Sequence, residues 1–306
     1  MTSDIFLKEL KRLIAMHPKR PSQVLNSENS EFGSNIYYSK NIYNCFDCSR
    51  STDLTHSTDS HDCVNSSDLD FCYESELCYE CDDIHHCFNC SYLEYCGNMT
   101  DSDFCYDSSG CHDVFGCVHL DNKSFCIFNR QLTEAEYREK VKYLKTLPAQ
   151  QIIDEVNKIK RTHPVTQTRS LHNENSDYGN YVFYSKNCYM CFDAAKNENC
   201  GYIHDSSNHK NSYDVSQSGE SELSYEVIDS GNIFNSDFIM FSKLCNDSSY
   251  LFDCSNVKNS IGCVRLEHKE FCILNRQFSP EEYEKIAVPL LAELRSKYIG
   301  WNDLIY

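Results

Sequence analysis

The sequence predicts a mainly β protein with flanking α segments: two tandem narrow β-solenoids (β-helices), each bracketed by short helices. Three observations lead there. The 306-residue chain is an internal duplication, because Gly116-Cys-Val and Cys126-Ile-Phe-Asn-Arg-Gln131 return as Gly262-Cys-Val and Cys272-Ile-Leu-Asn-Arg-Gln277, 146 positions on and without a gap. Within each copy the cysteines keep one phase of three, at 45, 48, 63, 72, 78, 81, 87, 90, 96, 105, 111, 117 and 126, then at 188, 191, 200, 245, 254, 263 and 272. Amphipathic, capped segments flank these stretches. A helix repeats at 3.6 residues and a plain strand at 2, so a period of three calls for very short strands broken by frequent corners.

The elements follow in order. Copy one spans 1–146, with a helix at 4–16, a solenoid at about 30–128 and a helix at 133–145. Ile5, Leu7, Leu10, Leu13 and Ile14 give the first helix its apolar stripe, and His17-Pro18 ends it. Thr133 with Glu136 opens the closing helix as a capping box. Copy two spans 147–292, with a helix at 149–161, a solenoid at about 176–274 and a helix at 280–296 that starts from Ser279-Pro280 and Glu282. A C-terminal tail covers 293–306.

From Val215 the inward phase reads Val, Ser218, Ser221, Ser224, Val227, Ser230, Ile233, Ser236, Ile239, Ser242, Cys245, Ser248, Leu251. The intervening Asp and Asn suit corners, including left-handed ones. Inward residues three apart favour a coil of about twelve residues, with about eighteen as the competing length. At about 4.8 Å per coil each solenoid is then roughly 35–40 Å long.

The closing segments Gly116 to Gln131 with Glu136-Tyr137, and Gly262 to Gln277 with Glu282-Tyr283, carry a resemblance, together with Leu77-Cys-Tyr-Glu-Cys81 and Glu94-Tyr-Cys-Gly97. The chain resembles uncharacterised cysteine-rich repeat proteins of candidate-phyla bacteria with small genomes. The inward spacing is similar to the narrow β-helix of beetle antifreeze proteins, whose ice-binding Thr-x-Thr face this sequence lacks. The resemblance implies a fold and no activity.

The twenty cysteines admit three readings. Cys78, Cys81, Cys87 and Cys90 with His85 and His86 have the residue types and spacing of a zinc or iron site. The pairs Cys72/Cys78, Cys81/Cys87, Cys90/Cys96 and Cys105/Cys111 lie six apart and could bridge a twelve-residue coil as disulfides. In copy two both members change together, as in Ser218/Ser224 and Val227/Ile233. The third reading, which the exchanges favour most, is buried reduced thiols in a small core. Cys45, Cys117 and Cys126 recur as Cys191, Cys263 and Cys272, which marks them as structural core; Asn129, Arg130 and Gln131 with Asn275, Arg276 and Gln277 are expected to cap the last coils.

Forty-six acidic against 28 basic residues give a net charge of −18, which argues against nucleic-acid binding. No apolar run is long enough to span a membrane, and the charged N-terminus lacks a secretory pattern, so the expected location is cytoplasmic. Matched outward rings, including Tyr43/Tyr189, Phe46/Phe192, Tyr79/Tyr225, Tyr92/Phe238, Phe104/Tyr250 and Tyr106/Phe252, are more than water should face. No nucleophile elbow, phosphate loop or metalloprotease motif occurs. The expectation is a non-enzymatic scaffold without cofactor that binds a protein partner or itself through aromatic and acidic faces. Thiol-based zinc or iron binding or redox storage in copy one is the alternative, and an acidic DNA mimic a further one.

Overall fold

The computed structural model describes the chain except residues 18–21, 165–167, 206, 218, 298 and 306, so Pro18 and Ser218 lie outside the described residues. Strands of four residues such as Ser34–Tyr37, Lys40–Tyr43 and Phe46–Ser49 follow one another at corners and pair in parallel. The register is constant: Ser30 lies opposite Ile42, Ile36 opposite Cys48, and Val227 opposite Ile239. Each coil therefore holds twelve residues, the shorter of the two expected lengths.

Four triplets make one coil, and each uses its positions the same way. From Asn26 to Phe128 every third residue has positive φ, and the same holds from His172 to Leu274. This residue immediately precedes the inward one, so the chain turns by a left-handed corner every three residues. Asn and Asp tolerate that conformation best, which accounts for their abundance in the phase. The corner N–H bonds to the preceding coil (Tyr38 to the Leu25 carbonyl, 3.1 Å), and the residue after the inward one bonds to the following coil (Lys40 to the Ser51 carbonyl, 3.0 Å).

Ser fills the inward slots between strands for a hydrogen-bonding reason. There the inward residue's own N–H points into the core, and the hydroxyl one coil earlier accepts it. Ser39 N–H donates to Ser27 Oγ, Ser51 to Ser39 and Cys63 to Ser51, each at 3.1 Å. A second column runs through Ser236, Ser248, Ser260 and Cys272, each link again 3.1 Å. The alternation of bulky residues with Ser is thus an alternation of apolar walls with hydroxyl ladders. Replacing Ser51 by Ala strands the buried Cys63 N–H and should cost the first solenoid about 1–3 kcal/mol. Ser51→Cys should cost less, because Cys45 Sγ already accepts the Ser57 N–H at 3.4 Å. Urea midpoints test this, and an equal loss in both variants refutes the ladder.

The last coils are closed by a reversal of the chain. Asn129 accepts from Val118 N–H and donates to the Val118 carbonyl, both at 2.8 Å, and Asn275 does the same to Val264. Arg130 and Gln131 return antiparallel to Ile127 and Cys126, and Arg276 and Gln277 to Ile273 and Cys272.

The helices are α1 (Ser3–Met16), α2 (Glu134–Leu144), α3 (Ala149–Lys160), α4 (Pro280–Ser296) and α5 (Asn302–Ile305). Thr133 and Ser279 form the two capping boxes. The chain divides into two compact units, a first of Arg20–Val165 and a second of Met1–Lys19 with Thr166–Tyr306. These units are offset from the repeat copies 1–146 and 147–292. Helix α1 packs on the second solenoid, where Phe6 meets Tyr250, while α3 packs on the first, where Lys160 pairs with Glu94. Short helices bracket each solenoid in sequence, as expected. Within each unit they lie against the later coils, joining one apolar cluster with Phe115, Val118 and Ile127, and another with Tyr250, Phe252, Ile261 and Val264.

Candidate functional site

All twenty cysteines are free thiols and all are buried. The inward phase aims them into the solenoid cores, where each sulfur contacts backbone carbonyls, as Cys63 Sγ does that of His61 at 3.4 Å. Cys45, Cys117, Cys126, Cys191, Cys263 and Cys272 are at most 3% exposed. None of the disulfides considered above is present. Six residues is half a coil, so Cys72 and Cys78, Cys81 and Cys87, Cys90 and Cys96, and Cys105 and Cys111 stand on opposite walls. The sulfurs that do meet are three or twelve apart: Cys78 shares hydrogen bonds with Cys81 and Cys90, and Cys188 with Cys191 and Cys200. Thiol donation from Cys81 and then Cys90 pulls Cys78 below an ordinary thiol against the opposing effect of burial. Native protein should therefore resist alkylation within minutes, while denatured protein titrates near all twenty thiols; a large native reaction or a deficit on unfolding contradicts this burial.

The six candidate ligands do not converge. Cys78, Cys81, Cys87 and Cys90 point inward, whereas His85 and His86 belong to the outward and corner phases, His86 pairing with Glu74 at 2.9 Å on the surface. Among the described residues no three His, Cys, Asp or Glu side chains are grouped to hold a metal ion. The spacing that looked like two metal-binding pairs is that of successive inward slots.

The outer rings divide into two sets. Tyr92 stacks on Phe104 at 4.4 Å, and Phe238 on Tyr250 at 4.5 Å, both sets next to the helices. The other set faces solvent on the early coils of each solenoid. Phe32 and Tyr178 are 71% and 76% exposed, Tyr38 and Tyr184 66% and 64%, and Tyr43 and Tyr189 49% and 48%. The rings run edge to face from Phe32 to Tyr43 to His56, and from Tyr178 to Tyr189 to Tyr202, at 5.5–5.9 Å. The repeat shows Phe32/Tyr178 and Tyr38/Tyr184 as aligned aromatics, but their exposure depends on which coils the helices cover.

A cleft of about 320 Å³ lies between the first solenoid and α3, with Tyr92, Phe104 and Tyr106 on one wall and Val156 on the other. Asp82 and Glu94 enter it one coil apart. Lys160 binds Glu94 at 2.5 Å and stands 3.7 Å over the Tyr106 ring. Desolvation in the cleft, then the charges of Asp70, Asp83 and Glu94, push Asp82 up to about 6. A carboxyl that holds its proton more tightly folded than unfolded favours the folded state where it is protonated. Asp82 therefore opposes folding increasingly as the pH rises from about 4 to about 6, and fully above that. Asp82→Asn should flatten that part of the first unit's midpoint-versus-pH curve, and parallel curves would show that Asp82 carries no such coupling.

No helix among the described residues is long and apolar enough to cross a membrane. No protein-family model matches the chain, and no curated protein does. Among solved structures, the chain is similar to a putative acetyltransferase from Desulfovibrio desulfuricans at 10% identity, covering 88% of this chain and 74% of that one with a TM-score of 0.17. It is also similar to the UDP-N-acetylglucosamine O-acyltransferase of Moraxella catarrhalis at 11% identity, covering 78% and 69% with a TM-score of 0.09. The UDP-N-acetylglucosamine acyltransferase of Campylobacter jejuni gives 9% identity, coverage of 90% and 88%, and a TM-score of 0.11. Superpositions this poor transfer no activity, and the parallel β-solenoid rests on the chain's own register.

Proposed function

We propose that the protein is a non-enzymatic scaffold that binds a protein partner or a second copy through the exposed aromatic face of its early coils. The observation that carries this is the retention in both copies of the same solvent-facing rings, Phe32, Tyr38 and Tyr43 with Tyr178, Tyr184 and Tyr189. Contiguous exposed apolar surface of this kind marks interaction sites in soluble proteins. The cysteines support a structural role, since their sulfurs serve the cores and the hydroxyl-type ladders.

Sedimentation of the purified chain reads self-association, and cross-linking in the producing cells followed by reconstitution from purified components reads a partner. Changing Phe32, Tyr43, Tyr178 and Tyr189 together to Ser should weaken the measured association at least about tenfold while the circular dichroism spectrum is unchanged. Association that is indifferent to all four changes overturns the proposal.

A further inference from the structure

The second unit seats its own C-terminal segment on its solenoid. The Trp301 backbone N–H donates to a Glu226 carboxylate oxygen at 3.0 Å, and the Tyr250 hydroxyl donates to the Ile299 carbonyl at 2.7 Å. The indole packs beside Phe252 with ring centroids 6.3 Å apart, and it is buried in one cluster with Phe238, Met240 and Leu10 of α1. A Cβ on Gly300 would lie 2.7 Å from both Glu226 carboxylate oxygens, so a side chain there would push that carboxylate aside.

The residues 146 positions earlier than Glu226, Phe238, Met240, Tyr250 and Phe252 are Glu80, Tyr92, Glu94, Phe104 and Tyr106. All five line the cleft of the first unit. Its far wall includes Ile153 and Val156 of α3, the repeat equivalents of Leu7 and Leu10 of α1. Among the described residues the first unit has no counterpart of the Gly300-Trp301 segment in the cleft, whose lining comes from the solenoid and α3 alone.

We propose that this cleft is a peptide-binding groove for a partner protein, taking a Gly-Trp segment flanked by Lys or Arg. The inference rests on the scaffold reading and names a site and a partner chemistry for it. The shape argument is the second unit's own occupied groove. The charge argument is the difference between the copies: Asp82 and Glu94 stand where the second unit has Ile228 and Met240, which belong to the same apolar cluster as Trp301. Lys160 already shows how the groove receives a cation, between the Glu94 carboxylate and the Tyr106 ring. A basic residue of the bound segment would meet Asp82 one coil away.

The test titrates the full chain into fluorescein-labelled Lys-Ile-Gly-Trp-Lys-Lys, its Glu-for-Lys counterpart, and the tail sequence Ile-Gly-Trp-Asn-Asp-Leu, following anisotropy. The basic peptide should saturate one site per chain and bind at least about tenfold tighter than either other peptide. Asp82→Lys, a change at an exposed position, should cost the basic peptide about tenfold and favour the acidic one; Asp82→Asn should fall between. No saturation by about 1 mM, or an affinity indifferent to Asp82→Lys, overturns the groove. Tighter binding of the tail sequence assigns the groove to a second copy and overturns the partner chemistry. The reconstituted partner, scored on the Phe32 and Tyr43 face, reports separately: if it binds while the peptide does not, the groove fails and the scaffold reading stands, and if neither binds, both fail.

Discussion

Replacing Phe6 by Ala should lower the thermal midpoint of the second unit by about 10 °C and leave the first unit unchanged, although Phe6 belongs to the first repeat in sequence. Its side chain is fully buried, edge-on to Tyr250 at 5.8 Å, and pressed so closely on Gly262 that a Cβ there would come 2.4 Å from the ring. Gly262 has φ +67, so a side chain there would be strained as well as crowded. Removing a buried Phe side chain costs about 3–5 kcal/mol, and a unit of this size loses about 2–4 °C per kcal/mol. Helix α1 is also tied at its start, since Ser3 donates from its N–H and hydroxyl to Glu293 at 3.1 and 2.6 Å. The mirror variant is Ile152→Ala in α3, which should destabilise the first unit alone by about 2–5 kcal/mol. Calorimetry with hydrogen exchange assigns each transition to its unit. A loss confined to the first unit in the Phe6 variant would sink the assignment of α1 to the second solenoid.

That exchange of helices marks the limit of what the sequence disclosed. The duplication made α1 and α3 equivalent, so their apolar stripes fit either solenoid equally well and periodicity has nothing to choose between them. A clue was present in the connection: only Lys145–Pro148 separate α2 from α3, and short links join helices that pack together. The solenoid was legible because its constraint is local. One inward slot in three, with Asn and Asp at the preceding corner, reads directly from residues such as Asn41, Asn44 and Asp47. The inward Ser residues were visible as a pattern but not as hydrogen-bond acceptors, because their partner lies twelve residues on and the coil length was still open. Spacing along the chain likewise does not say on which wall a sulfur stands, so it could not place Cys78, Cys81, Cys87 and Cys90 or the pairs six apart relative to one another. The open cleft was invisible, as it depends on which helix covers Tyr92 and Phe104.

Replacing Trp301 by Ala should be as damaging as removing Phe6 and should also create a second peptide site. The indole is 3% exposed, and its removal uncovers Tyr250 and Phe252 in a cluster that also holds Leu290 and Leu294 of α4. The loss for a buried Trp is about 3–5 kcal/mol, again about 10 °C in the second unit's midpoint. The Glu226 carboxylate still accepts a backbone N–H in this variant, so the segment is loosened and not misdirected. An added Gly-Trp peptide can then compete for the vacated groove, which lacks the Asp82 and Glu94 carboxylates and so should not prefer basic flanks. Peptide stoichiometry should rise from one to two per chain, with the new site insensitive to Asp82→Lys. If destabilisation appears without a second site, the tail is packing and the equivalence of the two grooves is wrong. If the second site appears with the same taste for Lys and Arg, the carboxylates of the first groove do not set its specificity. The two copies of one repeat thus serve as each other's control: one shows the groove filled by its own chain, the other shows the same five positions lining a cleft, with Glu94 in place of Met240 and, beside them, Asp82 in place of Ile228.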